Sequence, residues 1–114
     1  MSVHIDFDIF IENGIAWGNV SGTLDVFSIP HQDDEIQIID RHKIGASDLP
    51  NLSIGTLRVR HAIYYPVRYK AVSEKELTAM IMLEPLVVTT HQAAENVSLH
   101  LSQDYDLFVV PHKL

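Results

Sequence analysis

The chain has 114 residues, of which 46% are hydrophobic and 20% charged, so it has the size of one domain and enough apolar side chains to bury a core. It contains no cysteine, which excludes disulfides, thiolate metal sites and cysteine nucleophiles. Fifteen acidic and eight basic residues give a net charge of −7, and the whole excess lies in residues 1–57, which hold nine acidic and two basic residues. This balance argues against a nucleic-acid-binding surface, which requires a positive field.

The first 27 residues predict a β-hairpin. Apolar residues alternate with mostly polar ones from Val3 to Ile11, a period of two that indicates a half-buried strand. Asn13-Gly14 follows, the dipeptide that best tolerates a two-residue type I′ turn, and a second extended run continues from Ile15 to about Phe27. With this turn, Glu12 lies opposite Ile15.

The predicted register places the apolar residues of both strands on one face, because directly opposed residues share a face. Gly18 and Gly22 on that face suggest a bent hairpin or room for another element's side chains. The opposite face carries the pairs His4/Thr23, Asp6/Ser21, Asp8/Asn19 and Phe10/Trp17. Two large aromatic rings at a hairpin tip require a cover, either another segment of the chain or a partner.

The remaining elements follow in chain order. Residues 28–34 are typical of a loop, 35–40 of a short strand, 41–51 of a polar connection and 52–65 of a long strand. Residues 73–84 fit a helix or a strand, with a slight preference for a strand. The same ambiguity affects 90–101, where Ala93, Ala94, Val97 and Leu101 could form a helical stripe. Residues 97–101 and 105–110 also resemble the two strands of a closing hairpin around 102–104.

These elements predict a single, mostly β domain over residues 1–114. Short strands separated by turn residues favour an antiparallel β-sandwich or a small β-barrel, with at most one or two short helices. The longest apolar run, near residues 79–88, is interrupted by Glu84 and Pro85 and is far shorter than the roughly 20 residues of a membrane helix. The first residues lack the pattern of a signal peptide. We therefore expect a cytoplasmic protein without membrane partners.

The run from Pro30 to Glu35 is the segment most similar to a catalytic motif. It resembles, over six residues, the His-x-Asp-Asp-Glu zinc motif of the LmbE-like N-acetylglucosaminyl deacetylases, in which the run leads into a helix of a much larger α/β domain. Here the following residues alternate like a strand, and the chain is roughly half as long as such a fold requires. We interpret Asp33, Asp34 and Glu35 as a solvated acidic loop and do not assign the family.

A basic, tyrosine-rich run spans residues 58–70. The strand period places Arg58, Arg60 and Tyr64 on one face, a pattern that can bind phosphate and stack bases. The alternative is that Arg58 and Arg60 pair across strands with Asp6, Asp8 or Asp25. An acidic protein or a phosphate-bearing small ligand would also fit this run.

Seven histidines are scattered along the chain, and no two have the spacing of a zinc site. No nucleophile elbow, phosphate loop or dinucleotide fingerprint is present. The sequence therefore predicts neither a metal nor a cofactor, and it argues against an enzyme.

We expect a non-enzymatic acidic module that binds another macromolecule, most simply a protein, as inhibitor, immunity or anti-defence proteins do by electrostatic and steric occlusion. Two alternatives stay open: a self-assembling structural subunit, as in a phage or secretion apparatus, and a small ligand-binding or metal-dependent enzyme that uses the histidines. The candidate binding residues are Asp6, Asp8, Phe10, Trp17, Asp33, Asp34, Glu35, Arg58, Arg60 and Tyr64.

Overall fold

The computed structural model describes residues 2–39, 44, 56–64 and 77–112. Their elements, in chain order, are β1 (Ser2–Ile11), β2 (Ala16–Asp25), β3 (Glu35–Gln37), β4 (Thr56–Tyr64), β5 (Leu77–Leu83), β6 (Leu86–Val88), α1 (His91–Tyr105) and β7 (Phe108–Pro111). The prediction of a mostly β fold with a short helix is confirmed. Among these residues no helix is long and apolar enough to cross a membrane.

The seven strands form one sheet in the order β3-β4-β5-β1-β2-β7, and β6 follows β5 along the same side of β1. The described part of this sheet is open and does not close into a barrel. The sequence led us to expect an antiparallel sheet. The pairing is mixed instead, because β1 runs parallel to both β5 and β6. Alternation shows which residues of a strand face the core, but it does not show the direction of the neighbouring strand.

The core lies on one face of the sheet. Every odd-numbered residue of β1 from Val3 to Ile9 is buried there, as are Ile81 of β5 and Val20 of β2. Helix α1 packs against this core through Ala93, Ala94, Val97, His100 and Leu101. Because only one face of the sheet is apolar, one covering layer is enough to bury it, and α1 contributes to that layer.

The helix is a correction to the predicted closing hairpin of residues 97–101 and 105–110. Thr90 caps the N-terminus, because its hydroxyl accepts a hydrogen bond from the Ala93 N–H at 3.0 Å. Leu99, which alternates with Val97 and Leu101 as in a strand, is 58% exposed, whereas Val97 and Leu101 are fully buried. Burial therefore follows the helical spacing of four residues, and the predicted helical stripe is correct.

The predicted hairpin register is confirmed from Ser2 opposite Asp25 to Ile9 opposite Gly18. The turn is different. The Gly14 N–H donates to the Ile11 carbonyl at 2.8 Å and the Ile11 N–H donates to the Ile15 carbonyl at 2.8 Å, so the loop has three residues rather than two. Asn13 does not have the positive φ that a type I′ turn requires, whereas Gly14 has a φ of 89°.

A bulge compensates for the longer loop. Phe10 lies opposite Ala16 and Ile9 opposite Gly18, which leaves Trp17 as the additional residue. The predicted Phe10/Trp17 pair is therefore wrong. Trp17 joins the buried core instead, and Phe10 stays half-buried beside Val87 of β6.

The other predicted elements agree where they fall on described residues. Residues 28–34 form a loop, β3 lies within the predicted strand 35–40, β4 within 52–65 and β5 within 73–84. Most of the predicted connection 41–51 lies outside the described residues, as do 52–55, 65 and 73–76. Ile44, which is described, is buried in the core.

Candidate functional site

The candidate site is the outward face of the sheet, which is the face opposite the core and α1. Strand register brings residues of five strands together on this face. From one side to the other they are His61 and Ile63 of β4, Met80 and Met82 of β5, His4, Asp6 and Asp8 of β1, Asn19, Ser21 and Thr23 of β2, and Phe108 and Val110 of β7.

Two carboxylates occupy the centre of the outward face. Asp6 and Asp8 lie two residues apart on β1, and both are half-buried. The side-chain amide of Asn19 donates to Oδ1 of both, at 3.0 Å each, and lies 3.3 Å from the Phe7 carbonyl. Asn19 thus holds two like charges side by side with a neutral donor. The sequence predicted these aspartates on this face, and the structure places them there.

The predicted ion pairs between Arg58 or Arg60 and the aspartates do not form, because β5 lies between β4 and β1. Two strand spacings amount to about 10 Å, beyond the reach of a direct cross-strand pair. Asp25, the third predicted acceptor, accepts a hydrogen bond from the Ser2 hydroxyl at 2.7 Å instead. Neither β5 nor β2, the strands on either side of these carboxylates, contains a lysine or an arginine.

Apolar side chains flank the carboxylates on both sides. Ile63 and Met82 are 44% and 37% exposed on one side, and Phe108 and Val110 are 72% and 61% exposed on the other. Exposed apolar side chains grouped on one face of a sheet are a feature of interaction surfaces. Sequence reasoning did not include these four residues among the binding residues, since the three strands that carry them are distant in sequence from the hairpin.

The second acidic group, Asp33, Asp34 and Glu35, lies elsewhere. The loop is closed by mutual hydrogen bonds between His31 and Asp34, and Asp33 has a φ of 72°. It is attached to β4, because the Val59 carbonyl accepts from the Asp33 N–H at 2.9 Å and the Val59 N–H donates to the Asp34 carbonyl at 2.7 Å. The structure therefore separates this loop from Asp6 and Asp8 by β4 and β5.

The loop is followed by β3 rather than by a helix, so the local context of the deacetylase motif is missing. Glu35 lies opposite Arg58 in the β3/β4 register. All three acidic residues of this group are exposed, in agreement with the interpretation of a solvated loop.

A bulge also changes the basic run. The register of β4 with β5 shifts between Val59 and His61, so the predicted continuous alternation from 52 to 65 is wrong beyond Val59. Arg58 and Arg60 are both exposed, but after the bulge Ala62 packs against the core, and Tyr64 lies opposite Ala79 in the register. The register shift interrupts the alternation on which the predicted platform of Arg58, Arg60 and Tyr64 depends.

Trp17 is covered by the chain itself. Its indole N–H donates to Nδ1 of His91 at 2.9 Å, and the two rings meet edge to face with centroids 6.0 Å apart. Nε2 of His91 lies 3.1 Å from Oε1 of Glu95, one turn further along α1. These contacts join the hairpin to the first turn of the helix.

We predict that neutral His91 carries its ring proton on Nε2, because Nδ1 must accept the indole proton. A long-range ¹H–¹⁵N spectrum would show the Nε2–H tautomer, with exposed His112 as the control. Trp17→Phe should relax this preference and reduce the free energy of unfolding by about 1 kcal/mol for the lost hydrogen bond. A dominant Nδ1–H tautomer in the unaltered protein would contradict the assignment.

The histidines do not converge. No three His, Asp or Glu side chains among the described residues lie close enough together to hold a metal ion. His100 is buried in α1, and its Nδ1 lies 2.9 Å from Oδ2 of Asp104. The two side chains lie one turn apart near the end of the helix.

Comparison of the chain with protein-family models, with curated proteins and with solved structures finds no significant match.

Proposed function

We propose that the protein is a non-enzymatic binding module whose outward face docks on a basic protein surface. The observation that carries the proposal is the pair Asp6 and Asp8 between exposed apolar side chains on one sheet face. Such a face fits a partner that combines lysine or arginine side chains with apolar contacts. Docking would occlude the partner's basic surface.

Charge supports this choice of partner. The net charge is −7, and the two described arginines lie on β4, away from Asp6 and Asp8. A basic partner would gain attraction from the carboxylates, and an acidic one would meet repulsion. The half-buried setting of Asp6 and Asp8 reduces the screening that salt imposes on fully exposed pairs.

Edge pairing between copies is the less favoured way to use this sheet. Strand β1 has neighbours on both sides, and β2 is paired to β7 from Gly18 to Ser21. The described edges of the sheet are β3, with three residues, β7, which ends at Pro111, and the short end of β2 beyond Ser21. Proline cannot donate a backbone hydrogen bond to an added strand, and edges of this kind resist strand addition.

The proposal is tested with a fluorescent nona-arginine peptide as the basic probe, by anisotropy at 50 and 200 mM salt. We expect the double variant Asp6→Asn/Asp8→Asn to weaken binding by about tenfold at the lower salt, because two charge-assisted contacts are lost. The unaltered protein should also lose affinity as salt rises.

Glu12→Gln/Glu95→Gln is the matched control, because it removes the same charge from the hairpin turn and from α1, both away from the outward face. Its affinity should fall by less than about twofold, the residual effect of net charge. Equal losses in the two double variants would reduce the interaction to net charge and overturn the proposal.

A further inference from the structure

A cleft of about 440 Å³ opens on the outward face where β7 begins. It is lined by His4, Ser21, Gly22, Thr23, Asp25, Asp106 and Phe108. Its volume lies within the range of small-ligand sites, about 300–1,000 Å³. None of these residues was singled out by the sequence as a binding residue.

The cleft exists because β7 covers only part of β2. Their pairing runs from Gly18 to Ser21, whereas β2 continues to Asp25. The Trp17 carbonyl accepts from the His112 N–H at 2.8 Å, so odd-numbered residues of β2 direct their backbone groups toward β7. By this alternation the backbone groups of Thr23 point to an edge that β7 does not reach.

The lining combines acceptors with an aromatic ring. Asp25 and Asp106 contribute carboxylates, Ser21 and Thr23 contribute hydroxyls, and Phe108 exposes most of its ring. Among the described residues that line the cleft, His4 is the only one with a basic side chain. A planar cation fits this set, because a guanidinium donates several hydrogen bonds in its plane and stacks on an aromatic face.

Asp106 is a costly residue for the fold. It ends α1 in the left-handed conformation, with a φ of 56°, a position where glycine or asparagine is favoured. It also adds a negative charge at the helix C-terminus, where the macrodipole disfavours it. A residue that the helix C-terminus does not favour and that lines a cleft supports the hypothesis of a binding role.

We propose that this cleft binds a guanidinium group. In the setting of the proposed function, on which this part of the inference rests, the group is the side chain of an arginine on the docked protein. Asp25 and Asp106 would accept its hydrogen bonds, and the Phe108 ring would stack on its plane.

The test uses N-acetyl-arginine amide, which has no charge besides the guanidinium. Titration followed by ¹H–¹⁵N spectra should shift the amides of Thr23, Asp106 and Phe108 to saturation. N-acetyl-citrulline amide, the neutral isostere, should cause no saturable shift. Free arginine should bind no more tightly than the blocked form, because its α-ammonium and α-carboxylate charges cancel and the cleft is proposed to hold the guanidinium alone. Tighter binding of free arginine would identify an amino-acid ligand rather than a protein side chain and would overturn that part of the proposal.

Asp106→Asn supplies the second arm, since asparagine accepts the left-handed conformation and the variant should fold at least as stably. Its affinity for the blocked arginine should fall about fivefold or more with the loss of one charge-assisted hydrogen bond. Glu12→Gln, at the opposite end of the hairpin, should leave the affinity unchanged.

Equal binding of the citrulline compound, or unchanged affinity in Asp106→Asn, would overturn the cleft assignment. The docking proposal has its own readout in the Asp6/Asp8 variant. If only the cleft assignment is wrong, nona-arginine should still bind in a salt-dependent way. If only the docking proposal is wrong, the blocked arginine should still give a saturable titration.

Discussion

Leu101→Ala should lower the free energy of unfolding by about 3 kcal/mol, the middle of the range for a truncated buried leucine. Leu101 is fully buried in the core between α1 and the sheet. Its removal leaves a cavity that the rigid sheet cannot fill by relaxing. Urea denaturation followed by far-ultraviolet circular dichroism would give the value, provided that the m-value stays constant.

Leu99→Ala is the matched control for this variant. The two leucines lie two residues apart on α1, but Leu99 is 58% exposed. Its truncation should change the free energy of unfolding by no more than about 0.5 kcal/mol. In a strand the two side chains would share a face, so nearly equal losses would contradict a helix at these positions.

The comparison of Leu99 with Leu101 also explains why this region could not be assigned from sequence. Residues 97, 99 and 101 are all apolar, which fits a period of two, and residues 93, 94, 97 and 101 fit a helix equally well. The decisive fact is that Leu99 is exposed, and exposure depends on what packs around the segment. Thr90 was the local signal for the helix, because it lies three residues before the Ala93 N–H that it caps.

The hairpin was more predictable because its information is local. Matching apolar faces fixed the pairing of Val3 through Ile9, and a slip by one residue would have placed these side chains in water. The tip was not predictable, since the three-residue loop and the bulge at Trp17 have opposite effects on the register and cancel by Ile9. Burial of the indole and its bond to His91 favour this solution, and His91 is 74 residues away in sequence.

The candidate site also contains residues that could be predicted from the sequence and residues that could not. Asp6 and Asp8 could be placed on the outward face from alternation alone. Phe108, Val110 and Asp106 could not, because they reach that face only through the turn after α1 and the pairing of β7 with β2. The outward face therefore combines the beginning and the end of the chain, and it depends on a four-residue strand for one of its flanks.

Gly18 is the position that secures this flank. A Cβ atom at Gly18 would lie 2.8 Å from the Val110 carbonyl oxygen and 3.1 Å from Cα of Pro111. Both atoms belong to the backbone of β7, so no rotamer change can relieve the contact. The close approach of the two strands at this point requires glycine.

Gly18→Ala should therefore lower the free energy of unfolding by about 2 kcal/mol, within the range for overpacked sites, and displace the end of β7. Hydrogen exchange would detect the displacement as faster exchange of Val110 and His112, whose N–H donates to the Trp17 carbonyl. Gly14→Ala is the control: apart from the residue itself and its two chain neighbours, no atom lies within 4 Å of a Cβ at this position, and the φ of 89° costs about 1 kcal/mol of local strain. Exchange in β7 should stay unchanged in that variant. If Gly18→Ala left both the stability and the exchange of β7 unaltered, the pairing of β7 with β2 and the flank that carries Phe108 and Val110 would have to be rejected.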